Sequence, residues 1–341
     1  MVSIRAFYEN AFVHIGRAVA QSGSALRWGC RGREFKSRRP DQIFLSEMST
    51  KPKIGWIGLG VMGSPMVCNL RKAGYEVFVY TRTKEKADEV LKAGAQWVED
   101  IQDLASRVDV LCTMVGYPED VESVVLGEKG ALASMKPGSL LIDFTTSSPD
   151  LAERIAQKAS LSTVLSLDAP VSGGDIGAKG GTLAIMCGGE QEAFARAEPF
   201  LQILGDKLKY FGGPGSGQRV KMSNQILIAS TMVGMVESML YAERAGLNVS
   251  EVIELIGKGA AGCWSINNLG PRIVKEDWAP GFYIKHFLKD MRIAFDDSSR
   301  MGLNLEGLAL AQRFYSLAHS HDWENDGTQA LMKILREINA S

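Results

Sequence analysis

Lys221 stands near the start of a long apolar run, GSGQRVKMSNQILIASTMVGMVESMLYAERAG over residues 215–246, with Asn224 and Gln225 three and four positions further on. In a helix that spacing puts the amine and both amides on one face. A lysine held in apolar surroundings or beside other cations has its pKa lowered toward neutrality, so the same group can give a proton in one direction and take it back in the other. A second chemical stretch is Ser172-Gly173-Gly174, inside DAPVSGGDIGAKGGTL at 168–183. Such glycine density costs backbone entropy with no packing return. Exposed N–H groups beside a serine hydroxyl form a nest for a small anion, most simply a substrate carboxylate, although Gly180 and Gly181 also suit a tight hairpin-like crossing between two strands.

A third stretch is Gly58-Leu59-Gly60-Val61-Met62-Gly63, which follows a short apolar strand over 53–59 and precedes a helical pattern through Leu70 and Ala73. Strand, glycine-rich turn and helix together are the context in which this spacing means dinucleotide binding. Gly58 permits the tight turn, Gly60 lets a pyrophosphate approach the backbone, Gly63 lets helix and strand pack closely, and the helix N-terminus offers free N–H groups. The next strand, 76–80, ends in Thr81-Arg82-Thr83-Lys84, where an NAD-specific site would place an acid. Arg82, helped by Thr83, can instead grip a 2′-phosphate, so NADP(H) is the expected cofactor, with NAD(H) possible. The alternative is that Arg82 is a solvated loop charge and the site is indifferent.

The elements that must position these groups follow a βα rhythm. Strands are predicted at 108–115, 139–144, from 166, at 182–186 and at 207–211. The first of these ends at Val115, before Gly116-Tyr117-Pro118, on the carboxyl edge where ligands bind in such sheets. The second runs into Thr145-Thr146-Ser147-Ser148-Pro149, which caps a helix and brings Thr146 within reach of the nicotinamide side. The apolar run at 215–246 predicts one helix of about 28 residues, roughly 40 Å long, apolar on nearly every face and therefore buried in the interior or against a second subunit. Beyond it the pattern is helical, at 250–257, 264–273, 284–301, 306–319 and 327–338. Lys289 and Asp290 form a charged pair inside an apolar helix, either at the surface, as a buried ion pair, or facing the cofactor cleft. The predicted fold is an α/β Rossmann-like domain over 48–214 followed by an all-α domain over 215–341 that begins with the long interdomain helix.

With 38 basic and 39 acidic residues in 341, no strong field draws the chain to nucleic acid or a membrane surface. Polar residues such as Ser230, Thr231, Glu237 and Ser238 interrupt the long apolar run, which argues against a membrane span. Five cysteines without CxxC spacing and four scattered histidines argue against a disulfide framework or a metal site, and for a reducing, cytoplasmic location. Residues 1–47 are Arg-rich and acid-poor, with no sustained period. They read as an untranslated or disordered leader before Met48, or as a mitochondrial presequence, in which case the location is the matrix; the missing amphipathic spacing favours the former.

Taken together, these motifs resemble the β-hydroxyacid dehydrogenase family. GLGVMGSPM at 58–66 is similar to its cofactor loop, DAPVSGGDIGAKGGTL to its substrate signature, GSGQRVKMSNQ at 215–225 to the segment with its catalytic lysine, and KDMRIA at 289–294 to its KD helix. The resemblance implies a 6-phosphogluconate dehydrogenase-like NADP-binding domain and a homodimer or homotetramer. It implies Lys221 as catalytic residue with Asn224 and Gln225 beside it, and Ser172, Gly173 and Gly174 as carboxylate cradle. It further implies Phe282 and Asp290 as pocket lining, and Thr146 and Lys289 as cofactor-side contacts. Some members carry Asn at the position of Gln225, which leaves open which amide holds the substrate hydroxyl. Lys221 is the proton donor in these motifs suited to a forming alkoxide, so the expected reaction is reversible hydride exchange between NADP(H) and a small 3-hydroxy acid or semialdehyde. The rivals are an imine reductase-like enzyme, against which the lysine argues, and a non-catalytic NADP-binding interaction module, against which the lysine and the anion nest both argue.

Overall fold

A computed structural model describes residues 51–340; the leader read over 1–47 and the proposed start at Met48 lie outside the described residues. Nine strands form the sheet, in the order β3-β2-β1-β4-β5-β6-β8-β7, with β9 on β8. They are β1 (Ile54–Ile57), β2 (Val77–Tyr80), β3 (Gln96–Trp97), β4 (Val110–Thr113), β5 (Leu140–Asp143), β6 (Leu165–Asp168), β7 (Val171–Ser172), β8 (Ala184–Gly189) and β9 (Lys207–Tyr210). From β3 to β6 all pairs are parallel, and β8 then runs antiparallel to β6. β1, β4 and β5 are buried along their whole length, because helices cover both faces of a parallel sheet. Alternation along each strand separates two cores: Trp56, Cys112 and Ile142 belong to one face, Ile57, Leu111 and Leu141 to the other. β1 and β4 are neighbours although a whole βα excursion separates them in sequence, so the strand order reverses there and a crevice opens beyond their carboxyl ends.

Two features of this half depart from the predicted elements. β3 is a two-residue edge strand, too short to leave a pattern. The glycine-rich stretch after Ser172 is not a loop or hairpin crossing but a helix, α6 (Gly174–Gly180), despite a composition that disfavours one. Tertiary contact overrides propensity here: Asn69 Nδ2, on α1 (Gly63–Lys72), donates to the Ala178 carbonyl at 2.8 Å, and a Cβ on Gly177 would come within 3.1 Å of Leu183.

The long helix is α8 (Ser216–Arg244), 29 residues, packed between β8 and the helices α12 (Ile284–Arg300), α13 (Glu306–Ser316) and α14 (Leu331–Ile338). By length and composition it could pass for a membrane span, but Met232, Val233, Met235, Val236 and Met239 fill the core of the helical half. It is not buried all round. Ser223, Leu227, Ser230, Gly234, Ser238 and Tyr241 follow one another at helical spacing and face outward, with Leu227 69% and Tyr241 76% exposed. The predicted helix at 264–273 is two short ones, α10 (Trp264–Asn268) and α11 (Gly270–Val274), split at Gly270-Pro271 because proline has no N–H to continue the ladder.

Candidate active site

The cofactor loop reads as its glycines suggest. A Cβ on Gly58, whose φ is 100°, would lie 2.2 Å from the Met114 carbonyl oxygen, and one on Gly63 would lie 2.1 Å from that of Gly58, so neither position has room for a side chain. A Cβ on Gly60 would meet nothing within 4 Å among the described residues, which leaves open space over its backbone for an incoming anion. Met62, at the N-cap of α1, makes no side-chain cap and the first turn carries no acid. Ser64 donates its N–H to the Gly60 carbonyl at 3.1 Å and Pro65 has none, so the Gly63 N–H is the first-turn donor left for an anion. Leu59 is buried beneath the loop and Val61 projects from it. Val115, at the end of β4, packs its Cγ1 beside Gly58 and donates its N–H to Thr145 Oγ1 at 3.0 Å. These residues fit a dinucleotide diphosphate. Arg82 and Thr83 stand apart from the loop, at the exposed end of β2, where Arg82 Nη1 lies 3.1 Å from Asp120 Oδ1.

The opposite side of the cleft is buried and densely hydrogen-bonded, with the Ser147 hydroxyl left without a partner among the described residues. Asp168, at the end of β6, accepts from the Gly215 and Gln218 N–H groups, each at 2.8 Å, and so caps the start of α8 with both oxygens. Burial pushes its pKa up to about 7, in part against those hydrogen bonds. Gln218 takes the Ser147 N–H at 2.9 Å and donates to the Thr145 carbonyl at 2.8 Å, which locks the turn after β5 to α8. Asp143 braces the same turn through Thr113 Oγ1 and the Thr145 N–H, and burial raises its pKa to about 6. Ser148 is the member of the hydroxyl cluster that caps α5 (Pro149–Leu161), its Oγ accepting from the Leu151 N–H at 3.0 Å. Thr146 is half-buried, and its carbonyl accepts from Lys289 Nζ at 2.6 Å.

One and a half turns into α8 comes Lys221, 6% exposed. Burial lowers its pKa to about 8; Asp290 opposes the shift and Lys289 adds to it. Asn224 Nδ2 donates to Gln225 Oε1 at 2.7 Å, and Gln225 Nε2 donates to Asp290 Oδ2 at 2.6 Å. Lys289 Nζ lies 3.0 Å from Asp290 Oδ1 at an angle unsuited to a hydrogen bond, so that oxygen is ion-paired but accepts no hydrogen bond within the described residues. Gln225 is thus engaged at both ends, while Asn224, half-buried, keeps its own carbonyl oxygen free of partners among the described residues.

Gly173 and Gly174 have φ of 134° and 62° and turn the chain from β7 into α6, beside half-buried Ser172. A Cβ on Gly174 would lie 3.7 Å from the Gly281 carbonyl, so this cradle faces the segment that carries Phe282, whose ring packs on Phe287 at 5.7 Å. The groups that sequence reasoning missed are Asp168 and Gln218, whose hydrogen bonds span dozens of residues, and Asp120 opposite Arg82. Among the described residues no group of three or more His, Cys, Asp or Glu is arranged to hold a metal; His319 and His321 pair instead with Glu324 and Glu337.

Comparison with known proteins agrees with this architecture. Residues 53–212 match the family described as the NAD binding domain of 6-phosphogluconate dehydrogenase, and 215–335 match the NAD-binding family of NADP-dependent 3-hydroxyisobutyrate dehydrogenase. A probable 3-hydroxyisobutyrate dehydrogenase-like protein of Arabidopsis thaliana, named as mitochondrial, is 48% identical over 84% of this chain and 86% of its own length. The 2-hydroxy-3-oxopropionate reductase of Escherichia coli is 35% identical over 83% of this chain and 97% of its own. Among solved structures, 3-hydroxyisobutyrate dehydrogenase of Mycobacterium tuberculosis with L-serine superposes with a TM-score of 0.77 at 28% identity, over 84% of this chain and all of that one. The chain therefore belongs to the β-hydroxyacid dehydrogenase family and is an NAD(P)-dependent oxidoreductase of the 3-hydroxyisobutyrate dehydrogenase type, acting on CH–OH groups.

Proposed function

We propose that the chain interconverts a small hydroxy acid and the corresponding semialdehyde or 2-oxo acid, of the 3-hydroxyisobutyrate, succinic semialdehyde or glyoxylate class, with NADP(H) preferred over NAD(H) and Lys221 as general acid and base. The reading rests on Lys221, a buried amine with a pKa of about 8 among braced polar groups. Bound NADPH would supply the hydride. Lys221 as ammonium gives its proton to the forming alkoxide; as neutral amine it takes the hydroxyl proton in the reverse direction. Asn224, with its carbonyl oxygen free, orients the substrate hydroxyl, and Gln225 braces it against Asp290. Ser172 and the N–H groups of Gly173 and Gly174 hold the carboxylate, with Phe282 and Asp290 lining the pocket. Gly58 to Gly63 and Val115 hold the diphosphate, Arg82 and Thr83 the 2′-phosphate, and Lys289 keeps Thr146 in place on the nicotinamide side. The outward stripe of α8 that carries Leu227 and Tyr241 suits contact with a second copy in a homodimer or homotetramer.

The test is NADPH oxidation with glyoxylate, succinic semialdehyde, methylmalonate semialdehyde and tartronate semialdehyde, and the reverse reaction on 3-hydroxyisobutyrate. Turnover of one or more is expected, and Lys221→Ala lowers kcat about 10²- to 10⁴-fold with cofactor binding nearly intact. Near-normal turnover in that variant removes Lys221 from the mechanism. Inactivity of the unaltered protein on every acid, with NADPH still bound, turns the reading toward a non-catalytic module.

A further inference from the structure

Arg82, 79% exposed at the side chain, is held by Asp120, whose side chain is only 20% exposed. Asp120 is the third residue of α4 (Pro118–Leu126), the helix that follows β4, and its second oxygen lies over the turn that ends β4, 3.3 Å from where a Cβ on Gly116 would stand. β1 lies between β2 and β4 in the sheet, so the ion pair passes from one flanking strand end to the other, across the carboxyl edge of the strand that leads into the glycine loop. The carboxylate therefore sits inside the cleft, on the side where the end of β2 would meet the ribose, and not out in solvent.

From this geometry we propose that Asp120 is a specificity-determining residue: it competes with the 2′-phosphate of NADPH for Arg82 and so moderates the preference for NADPH over NADH. The proposal rests on the assignment of the 2′-phosphate to Arg82. A cofactor without the phosphate leaves the Arg82–Asp120 pair intact. One that carries it has to draw the guanidinium from a carboxylate, and then keeps that carboxylate nearby as a like charge. Exchange is feasible because the Arg82 side chain is largely exposed and an ion pair with one solvated partner is weak. Only the phosphorylated cofactor has to break the Arg82–Asp120 pair, so removal of the carboxylate separates the two nucleotides.

The test is the Kd of the full chain for NADPH and for NADH, by cofactor fluorescence titration at one fixed salt concentration, in the unaltered protein, Asp120→Asn, Arg82→Ala and the double variant. Asp120→Asn is expected to tighten NADPH about two- to tenfold and to leave NADH unchanged, and the effect is expected to shrink in the Arg82→Ala background, where no guanidinium is left to compete for. Asp120→Ser, which removes the same charge with a smaller side chain, should move NADPH in the same direction. If Asp120→Asn and Asp120→Ser leave NADPH unchanged or weaken it while Arg82→Ala abolishes the preference, competition by Asp120 is wrong and Arg82 keeps its role. If Arg82→Ala leaves the ratio of the two Kd values as it was, the phosphate assignment fails and the competition fails with it.

Discussion

The two ends of the proposed cofactor cleft, the reacting end at Lys221 and the adenosine end at Arg82, hold their charges in different ways. At the reacting end Lys221, Gln225, Lys289 and Asp290 are buried, and hydrogen bonds or ion pairs run from Asn224 through Gln225, Asp290 and Lys289 to the turn at Thr146. At the adenosine end Arg82 and Thr83 lie on an exposed turn, and a single ion pair ties Arg82 to Asp120. Proton transfer needs a fixed amine in a dry setting, because desolvation brings a lysine near neutral pH. Recognition of a phosphate needs only charge within reach, and an exposed arginine can exchange partners at little cost. The same residue types thus carry large energies at one end and small ones at the other.

The largest difference should come from cutting one ion pair at each end. Asp290→Asn leaves the Lys289 ammonium buried without its counter-charge and is expected to destabilise the protein by about 3 kcal/mol or more, whereas Arg82→Ala should change stability by about 1 kcal/mol or less; thermal melting compares them. Equal losses would erase the distinction between the ends. Next in size is the pH dependence. With Lys221 near 8, kcat/KM for oxidation should rise as pH passes through about 8, since the neutral amine is the base, and kcat/KM for reduction should fall through the same range. Asp290 raises that pKa, so Asp290→Asn should move both midpoints downward. The smallest effect is at the exposed end: Thr83→Ala loses at most one solvent-exchangeable hydrogen bond, and the KM for NADPH should rise about two- to fivefold with that for NADH unchanged.

What could be read beforehand follows the same division between local and distant. The glycine loop, the strand ends and the lysine near the start of α8 are local patterns, and residues within one turn of a helix or one βα unit declare their geometry through spacing alone. Where long-range packing decides, spacing is mute. α6 forms although glycines make up much of it: Asn69 of α1 ties the Ala178 carbonyl, and a side chain at Gly177 would press on Leu183. The outward stripe of α8 was hidden because apolar and small residues occur on it as on the buried faces. The choice between Asn224 and Gln225 depends on Asp290, 65 positions from Gln225, and the state of Arg82 depends on an aspartate on another helix.

The start of α8 also decides how this molecule can move. A Cβ on Gly217 would come 2.3 Å from the Met186 carbonyl oxygen and 2.6 Å from that of Asp168, and Asp168 and Gln218 add four buried hydrogen bonds around the same point. A bend between sheet and helices at this joint would have to break them together, so the joint acts as a weld where other two-domain enzymes place a hinge. The turn after β2 and the first turn of α4 are held to each other far more lightly, by the one Arg82–Asp120 ion pair among the described contacts of Arg82.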